Sequence, residues 1–287
     1  MTVTFNPSHP IWCAGCGHFG VKNAMVNALE KLEIPAHETM VLAGIGCSGT
    51  VQNNISAYGY HALHGRVLPT ALGVKLANPN LMVIAAGGDG DGYAIGAGHL
   101  VHSFKRNPSV VYVLMNNGIY GLTKGQRSPT ATQLDLTTEK ALDGISLGLS
   151  IPGSTFLARG YSGASDQLNS IMESAFMHAK LGRGFAFVEV MSPCVTYNDT
   201  YAEWSAKVSD VTAQDGYDRT NRIKAFTTVF QCAVDNRIPT GIIFENTNGP
   251  TFDGAWRRNG SKAPALIDTS VALHKDSYSK IMDNYAF

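Results

Sequence analysis

The sequence predicts an α/β fold: a doubly wound, mostly parallel sheet with helices on both faces, followed by a C-terminal extension. Three observations carry that expectation. Two apolar runs, Leu81 to Ala86 and Val110 to Met115, have the length and branched-residue content of strands buried on both faces. A helix-like stretch from Tyr93 to Arg106 separates them, as a parallel crossover requires. Each run also ends in chemistry-bearing residues, Gly88-Asp89-Gly90 after the first and Asn116-Asn117 after the second. In open parallel sheets, ligands bind in the crevice outside the carboxyl ends of the strands.

The remaining elements follow in order. A helix from about His18 to Leu32 has apolar residues at Phe19, Val21, Met25, Val26 and Leu29, close to helical spacing. Met40 to Gly44 reads as a strand running into the turn-rich Gly44-Ile45-Gly46-Cys47-Ser48-Gly49. Leu68 to Leu76 reads as a helix that stops before Pro79. Leu136 to Leu149 and Ser165 to Lys180 read as helices, with Gly182 and Gly184 ending the second. Phe185 to Met191 is a further buried strand. The alternation fills about residues 10–195, so one α/β domain is assigned to residues 1–200 and an extension to 201–287. The extension is more polar, with a helix-like stretch from Thr220 to Val234 and a strand-like run from Thr240 to Phe244. Its tail, Asn246 to Phe287, lacks periodicity and is expected to pack on a partner or on the main domain, with a disordered tail as the alternative.

Composition narrows the function. The chain has 287 residues, 15% of them charged, and a formal net charge of zero, so nothing draws it to nucleic acid or an anionic membrane. Its apolar stretches are too short and interrupted for a transmembrane helix. Met1 to Pro7 has neither the charged nor the apolar region of a secretory signal. Five cysteines, an odd number, then favour a reduced, cytoplasmic protein with thiols open to a metal.

Asp89 and Asn117, 28 residues apart, meet at one crevice as hard oxygen donors. Mg²⁺ takes few such protein ligands and completes its shell from a phosphate. The arrangement resembles the diphosphate-binding motif of thiamine diphosphate enzymes. Cys13-Ala14-Gly15-Cys16 is a close pair, and Cys47 and Cys194 each follow a predicted strand on the same sheet edge. Four thiols there suit zinc or a [4Fe–4S] cluster, and ligand type alone does not decide. One close pair plus two isolated thiols is nearer to a cluster, and Pro193 stiffens the approach of Cys194. Cys232, on the apolar face of a predicted helix, reads as a buried thiol.

The chain resembles the β subunit of the thiamine-dependent 2-oxoacid:ferredoxin oxidoreductases over about residues 9–200. The similarity lies in Trp12-Cys13-Ala14-Gly15-Cys16-Gly17-His18, Gly44-Ile45-Gly46-Cys47-Ser48, His61-Ala62-Leu63-His64-Gly65-Arg66 and Gly88-Asp89-Gly90-Asp91. It continues in Asn116 to Gln126 and in Ser192-Pro193-Cys194-Val195-Thr196. The resemblance implies the diphosphate-binding half of a thiamine diphosphate-binding fold. It implies a [4Fe–4S] cluster on Cys13, Cys16, Cys47 and Cys194, and Mg²⁺ on Asp89, Asn117 and the carbonyl of Ile119. Ile45, Gly46, Cys47, Ser48, His64, Gly90, Asp91, Gly121 and Leu122 would surround thiamine diphosphate. His64 reads alternatively as a structural histidine, and Asp91 as a helix N-cap.

The same resemblance implies an α subunit that supplies the pyrimidine-binding domain and its activating glutamate, in an (αβ)₂ assembly that delivers electrons to ferredoxin. The implied reaction turns a 2-oxoacid and coenzyme A into acyl-CoA and CO₂. The stretch Met115 to Gln126 looks most like the 2-oxoglutarate branch, with pyruvate or broad 2-oxoacid use second. Lys124 reads as a contact to a substrate carboxylate or coenzyme A phosphate, or as a solvated loop lysine. Two rival readings are a non-redox thiamine decarboxylase, which has no use for four thiols, and a zinc-stabilised non-catalytic subunit, which leaves Asp89 and Asn117 unexplained.

Overall fold

The computed structural model describes residues 9–131 and 140–260, together with 279, 282 and 283. The strands are β1 (Thr39–Ala43), β2 (Tyr58–His61), β3 (Met82–Gly88), β4 (Val111–Asn116), β5 (Ile119–Tyr120), β6 (Gln126–Arg127), β7 (Phe156–Tyr161), β8 (Ala186–Met191), β9 (Val208–Asp210) and β10 (Ile238–Glu245). Eight of them form one sheet in the order β2-β1-β3-β4-β8-β7-β10-β9, and β5 and β6 make a separate ribbon. From β2 to β7 every pairing in that sheet is parallel. β10 then runs antiparallel to β7, and β9 runs parallel to β10. The predicted doubly wound α/β fold is the one observed.

The helices are α1 (His18–Lys31), α2 (Val67–Ala77), α3 (Ala97–Arg106), α4 (Gly144–Ser150), α5 (Ser165–Lys180), α6 (Tyr201–Lys207), α7 (Arg222–Val234) and α8 (Phe252–Arg258). Strand side chains alternate between two cores. Val111, Val113 and Met115 of β4 pack with Met25 of α1 and Phe176 of α5 on one face. Tyr112 and Leu114 pack with Leu100 of α3, Leu149 of α4 and Val229 of α7 on the other. Covering both faces is why the central strands read as unbroken apolar runs.

Four differences from the sequence reading have physical causes. β7 was not foreseen because Arg159 interrupts it; burial is tolerated because Glu189 and Asp143 pair with that guanidinium. β2, also unforeseen, is an exposed edge strand with no buried pattern to read. The expected helix from Tyr93 begins as a π turn over Gly90–Ile95, closed by Gly96 N–H onto the Asp91 carbonyl at 3.1 Å, before α3 starts. Of the helix expected over Leu136 to Leu149, residues 136–139 lie outside the described residues. α4 begins only at Gly144, where the Asp143 carboxylate caps Ile145 and Ser146 N–H.

The expected division at residue 200 does not coincide with the end of the sheet, since β9 and β10 extend it. The start of the expected tail packs on the main domain. Asp253 of α8 is buried and accepts from the Ser109 N–H at 3.0 Å and hydroxyl at 3.1 Å. Beyond residue 260 the expectation lies almost entirely outside the described residues. Cys232 is buried on α7, as read. Among the described residues no helix is long and apolar enough to cross a membrane.

Candidate active site

β3 and β4 are parallel neighbours, with Gly88 opposite Met115, so the loops that follow them meet at the carboxyl edge. Asp89 is 2% exposed, and its Oδ2 accepts from Gly118 N–H at 3.1 Å and from the hydroxyls of Ser128 and Thr130. Burial raises its pKa, against these donors. Asn117 Oδ1 accepts from Ile119 N–H at 3.1 Å, and the Ile119 carbonyl accepts from Gly121 N–H at 3.1 Å. Asn117 Oδ1 and the Ile119 carbonyl each have one such donor and keep a lone pair for a further partner, whereas Asp89 Oδ2 is surrounded by three. A carboxylate, an amide oxygen and a carbonyl side by side fit Mg²⁺, which prefers hard oxygen donors.

These loops wall a cavity of about 180 Å³. The wall includes Ile45 to Ser48, His64, Gly88 to Asp91, Asn117 and Ile119 to Thr123. Every residue assigned above to thiamine diphosphate or Mg²⁺ is thus at one place. Gly90 makes room for Tyr120, since a Cβ there would sit 2.1 Å from the Tyr120 ring. Lys124 is not in the wall; it is exposed, with φ +73°.

Asp91 organises the far side of the cavity. Its Oδ1 accepts from Ile45 N–H at 3.0 Å, Gly65 N–H at 2.8 Å and His64 Nδ1 at 2.7 Å. The N-cap reading of Asp91 is therefore corrected, for its carboxylate joins two other loops rather than its own helix. With Nδ1 donating to Asp91, His64 keeps Nε2 for the cavity. Asp91 Oδ2 is buried with no hydrogen-bond partner among the described residues.

The thiols lie alongside. Cys16 N–H turns back onto the Cys13 carbonyl at 3.0 Å, and Gly17 N–H reaches the Pro193 carbonyl at 3.0 Å. A Cβ on Gly17 would sit 2.7 Å from the backbone of Ser192, so glycine lets the Cys13 and Cys194 loops touch. Trp12 Nε1 donates to the Cys47 carbonyl at 2.7 Å, which ties in the third loop. Burial pushes the Cys16 thiol up to about 11; a backbone hydrogen bond from His18 opposes this, and Cys194, Cys47 and Cys13 add to it. Cys47 is raised by burial and then by Cys194 and Cys13. Burial therefore favours the neutral thiol at both positions, and a bound cation would favour the thiolate. Among the described residues no three His, Cys, Asp or Glu side chains close on a single metal ion.

The two halves meet at Gly121. A Cβ there would lie 3.6 Å from both Cys47 and Cys194 Sγ and 3.8 Å from Asn117 Nδ2. Asn198 links them again: its N–H donates to the Cys194 carbonyl at 3.0 Å and its Nδ2 to the Asn117 carbonyl at 2.8 Å.

Comparison with known proteins shows the family. Residues 38–190 match the family of the thiamine pyrophosphate enzyme C-terminal TPP-binding domain. Residues 194–258 match the family of the C-terminal region of the pyruvate ferredoxin oxidoreductase beta chain. The chain is 37% identical to a 2-oxoacid:ferredoxin oxidoreductase subunit β of Sulfolobus sp, over 94% of this chain and 92% of that one. It belongs to the β subunits of the 2-oxoacid:ferredoxin oxidoreductases. With subunit β of 2-oxoacid:ferredoxin oxidoreductase 1 from Aeropyrum pernix the identity is 43%, over 96% and 93%. With the 2-oxoglutarate oxidoreductase subunit KorB of Mycobacterium tuberculosis it is 36%, over 66% of this chain and 51% of that one. A solved 2-oxoglutarate:ferredoxin oxidoreductase from Magnetococcus marinus, with 2-oxoglutarate, coenzyme A and succinyl-CoA bound, superposes with a TM-score of 0.82 at 31% identity, over 99% and 95%. This β subunit is therefore part of an enzyme.

Sequence reasoning missed the supports of the site. Ser128 and Thr130 hold Asp89, but nothing local marks them, since the β5–β6 ribbon brings them back. His18 also lines the cavity; burial lowers its pKa to about 4, and Nδ1 contacts Ser192 Oγ at 2.7 Å. It sits inside the cysteine motif, where it reads only as a helix start.

Proposed function

We propose that this β subunit holds thiamine diphosphate through Mg²⁺ on Asp89, Asn117 and the Ile119 carbonyl, and a [4Fe–4S] cluster on Cys13, Cys16, Cys47 and Cys194. The reaction is 2-oxoglutarate plus coenzyme A plus two oxidised ferredoxins giving succinyl-CoA, CO₂, one proton and two reduced ferredoxins. The observation that carries the reading is Gly121, packed between two thiols and the Asn117 amide. Thiamine diphosphate supplies the decarboxylation, and an adjacent cluster supplies a one-electron acceptor.

The chain's own residues bind and orient. Asp89, Asn117 and the Ile119 carbonyl carry the cation; His64 Nε2, with Asp91 behind it, faces the diphosphate. Gly90, beside Asp89 in the cavity wall, leaves room for the Tyr120 ring. A cavity of about 180 Å³ is smaller than the roughly 300–1,000 Å³ of a complete ligand pocket. Ile45, Leu63, Ile95 and Leu122 are exposed beside it, an apolar rim for an α subunit to cover and so complete the site. The assembly is (αβ)₂, cytoplasmic, with ferredoxin as the acceptor. The 2-oxoglutarate relatives favour that substrate over pyruvate, and Lys124 is the candidate contact for its second carboxylate or for a coenzyme A phosphate.

The test is anaerobic ferredoxin reduction by the chain with its α subunit. The proposal expects reduction that depends on 2-oxoglutarate, thiamine diphosphate and coenzyme A, and its loss in Cys47→Ala. Faster reduction with pyruvate would reassign the substrate. Normal reduction by Cys47→Ala would overturn the cluster assignment.

A further inference from the structure

Behind the Asp89 and Asn117 loops runs a buried chain of polar groups that the proposed function does not use. It starts at Glu189 of β8, which is 1% exposed. Glu189 Oε1 accepts from Asn116 Nδ2 at 3.0 Å and from the Tyr93 hydroxyl at 2.9 Å. Its Oε2 accepts from Arg159 Nε at 2.8 Å, and Arg159 reaches on to Asp143. Burial alone would lower the Arg159 pKa, but Glu189 and Asp143 reverse that and hold it raised, fully charged.

Asn116 carries the chain forward. Its Oδ1 accepts from Gly118 N–H at 3.1 Å and lies 2.8 Å from the Thr130 hydroxyl, which has one proton for its two acceptor neighbours. That hydroxyl also faces Asp89 Oδ2, the oxygen that Gly118 N–H touches. An amide has a donor end and an acceptor end, so the Glu189 carboxylate decides which way Asn116 points. The direction it imposes puts an acceptor against Gly118, where the cation loop begins. Thr130, Ser128 and Gly118 together turn Asp89 Oδ2 towards the protein, so Oδ1 is the carboxylate oxygen with capacity for an ion. On the opposite side the same groups, Asn116, Thr130, Arg159 and Glu189, wall a second cavity of about 540 Å³.

We propose that Thr130 and Glu189 are positioning residues for the divalent-cation site, fixing Asp89 and the Asn116–Ile119 loop before the ion arrives. This rests on the reading of Asp89 as a cation ligand. Outer-shell partners of this kind are worth about 10–100-fold in metal affinity. Thr130→Val removes the hydroxyl at nearly constant shape, whereas Thr130→Ser keeps it. In Glu189→Gln the carbonyl must face Arg159, which can only donate. The new NH₂ then faces Asn116 and turns that amide over, taking the acceptor away from Gly118.

The experiment titrates Mn²⁺ into the metal-free full chain, co-purified with its α partner and supplied with thiamine diphosphate, following free Mn²⁺ by electron paramagnetic resonance. Thr130→Val and Glu189→Gln are expected to raise the Mn²⁺ Kd about 10–100-fold, with Thr130→Ser near the parent. A merely structural role would lower the melting temperature and leave the Mn²⁺ Kd in place. Asp89→Asn separates the two claims. If Asp89→Asn binds Mn²⁺ like the parent, the cation reading fails. If Asp89→Asn is weakened while Thr130→Val and Glu189→Gln bind normally, the cation site stands and the positioning role is overturned. Should Thr130→Val not fold, Glu189→Gln decides by the same criterion.

Discussion

Asp91 and the glycines around it show how little room the site leaves. A Cβ on Gly44 would lie 2.1 Å from Asp91 Oδ2, a carboxylate already bound to two loops through Oδ1. Gly44→Ala should therefore cost about 1–3 kcal/mol as an overpacked position and weaken thiamine diphosphate binding, read by urea unfolding and calorimetry. Parent-like values in both would contradict the close approach. His18 sets a pH dependence. Burial lowers its pKa from 6.5 to about 4, so the unfolded chain takes up a proton there that the folded chain refuses. Stability should fall as pH drops from 6.5 towards 4, by about 3 kcal/mol across that window. Urea unfolding of the metal-free chain at both ends measures it, and His18→Gln should flatten most of the difference. An unchanged slope in that variant would place the titrating group elsewhere. At this scale Asp89 and Asn117 were legible because each ends an apolar run. Ser128, Thr130 and Glu189 were not, because their partners are remote in sequence.

Between elements, the device of interest is the turn after β8. Cys194 pairs with Asn198 in an isolated antiparallel bridge, and the Asn198 amide then holds the Asn117 carbonyl. One short turn thus fixes the Cys194 and Asn117 loops together. Asn198→Ala should cost about 0.5–1.5 kcal/mol for the lost hydrogen bond and also weaken Mn²⁺ binding, although Asn198 is itself no ligand. A stability loss with unchanged Mn²⁺ affinity would show that the turn only packs. Elements were legible where both faces of a strand are apolar, as in β3, β4 and β8. β7 was not, because a buried Arg159 looks like a loop residue until Glu189 and Asp143 are seen beside it. β10 was read as a strand, but nothing local says that it joins the main sheet antiparallel to β7.

At the scale of the molecule, the sheet brings four loops to one edge, and thiols and oxygen donors separate there into adjacent groups. The α/β class and the convergence of Cys47, Cys194, Asp89 and Asn117 followed from strand ends alone, because parallel strands share an edge. The extent of the sheet beyond residue 200 did not, since a polar stretch conceals a strand whose pairing is long-range. The central claim, that this edge couples a thiamine site to an iron–sulfur cluster, is tested most directly by metal analysis. Iron, acid-labile sulfide and zinc would be measured in the anaerobically purified chain with its α subunit, after correction for clusters elsewhere in the complex. The account expects about four irons and matching sulfide per chain, as a four-cysteine cubane requires, lost in Cys47→Ala. Zinc without sulfide at these cysteines would contradict it.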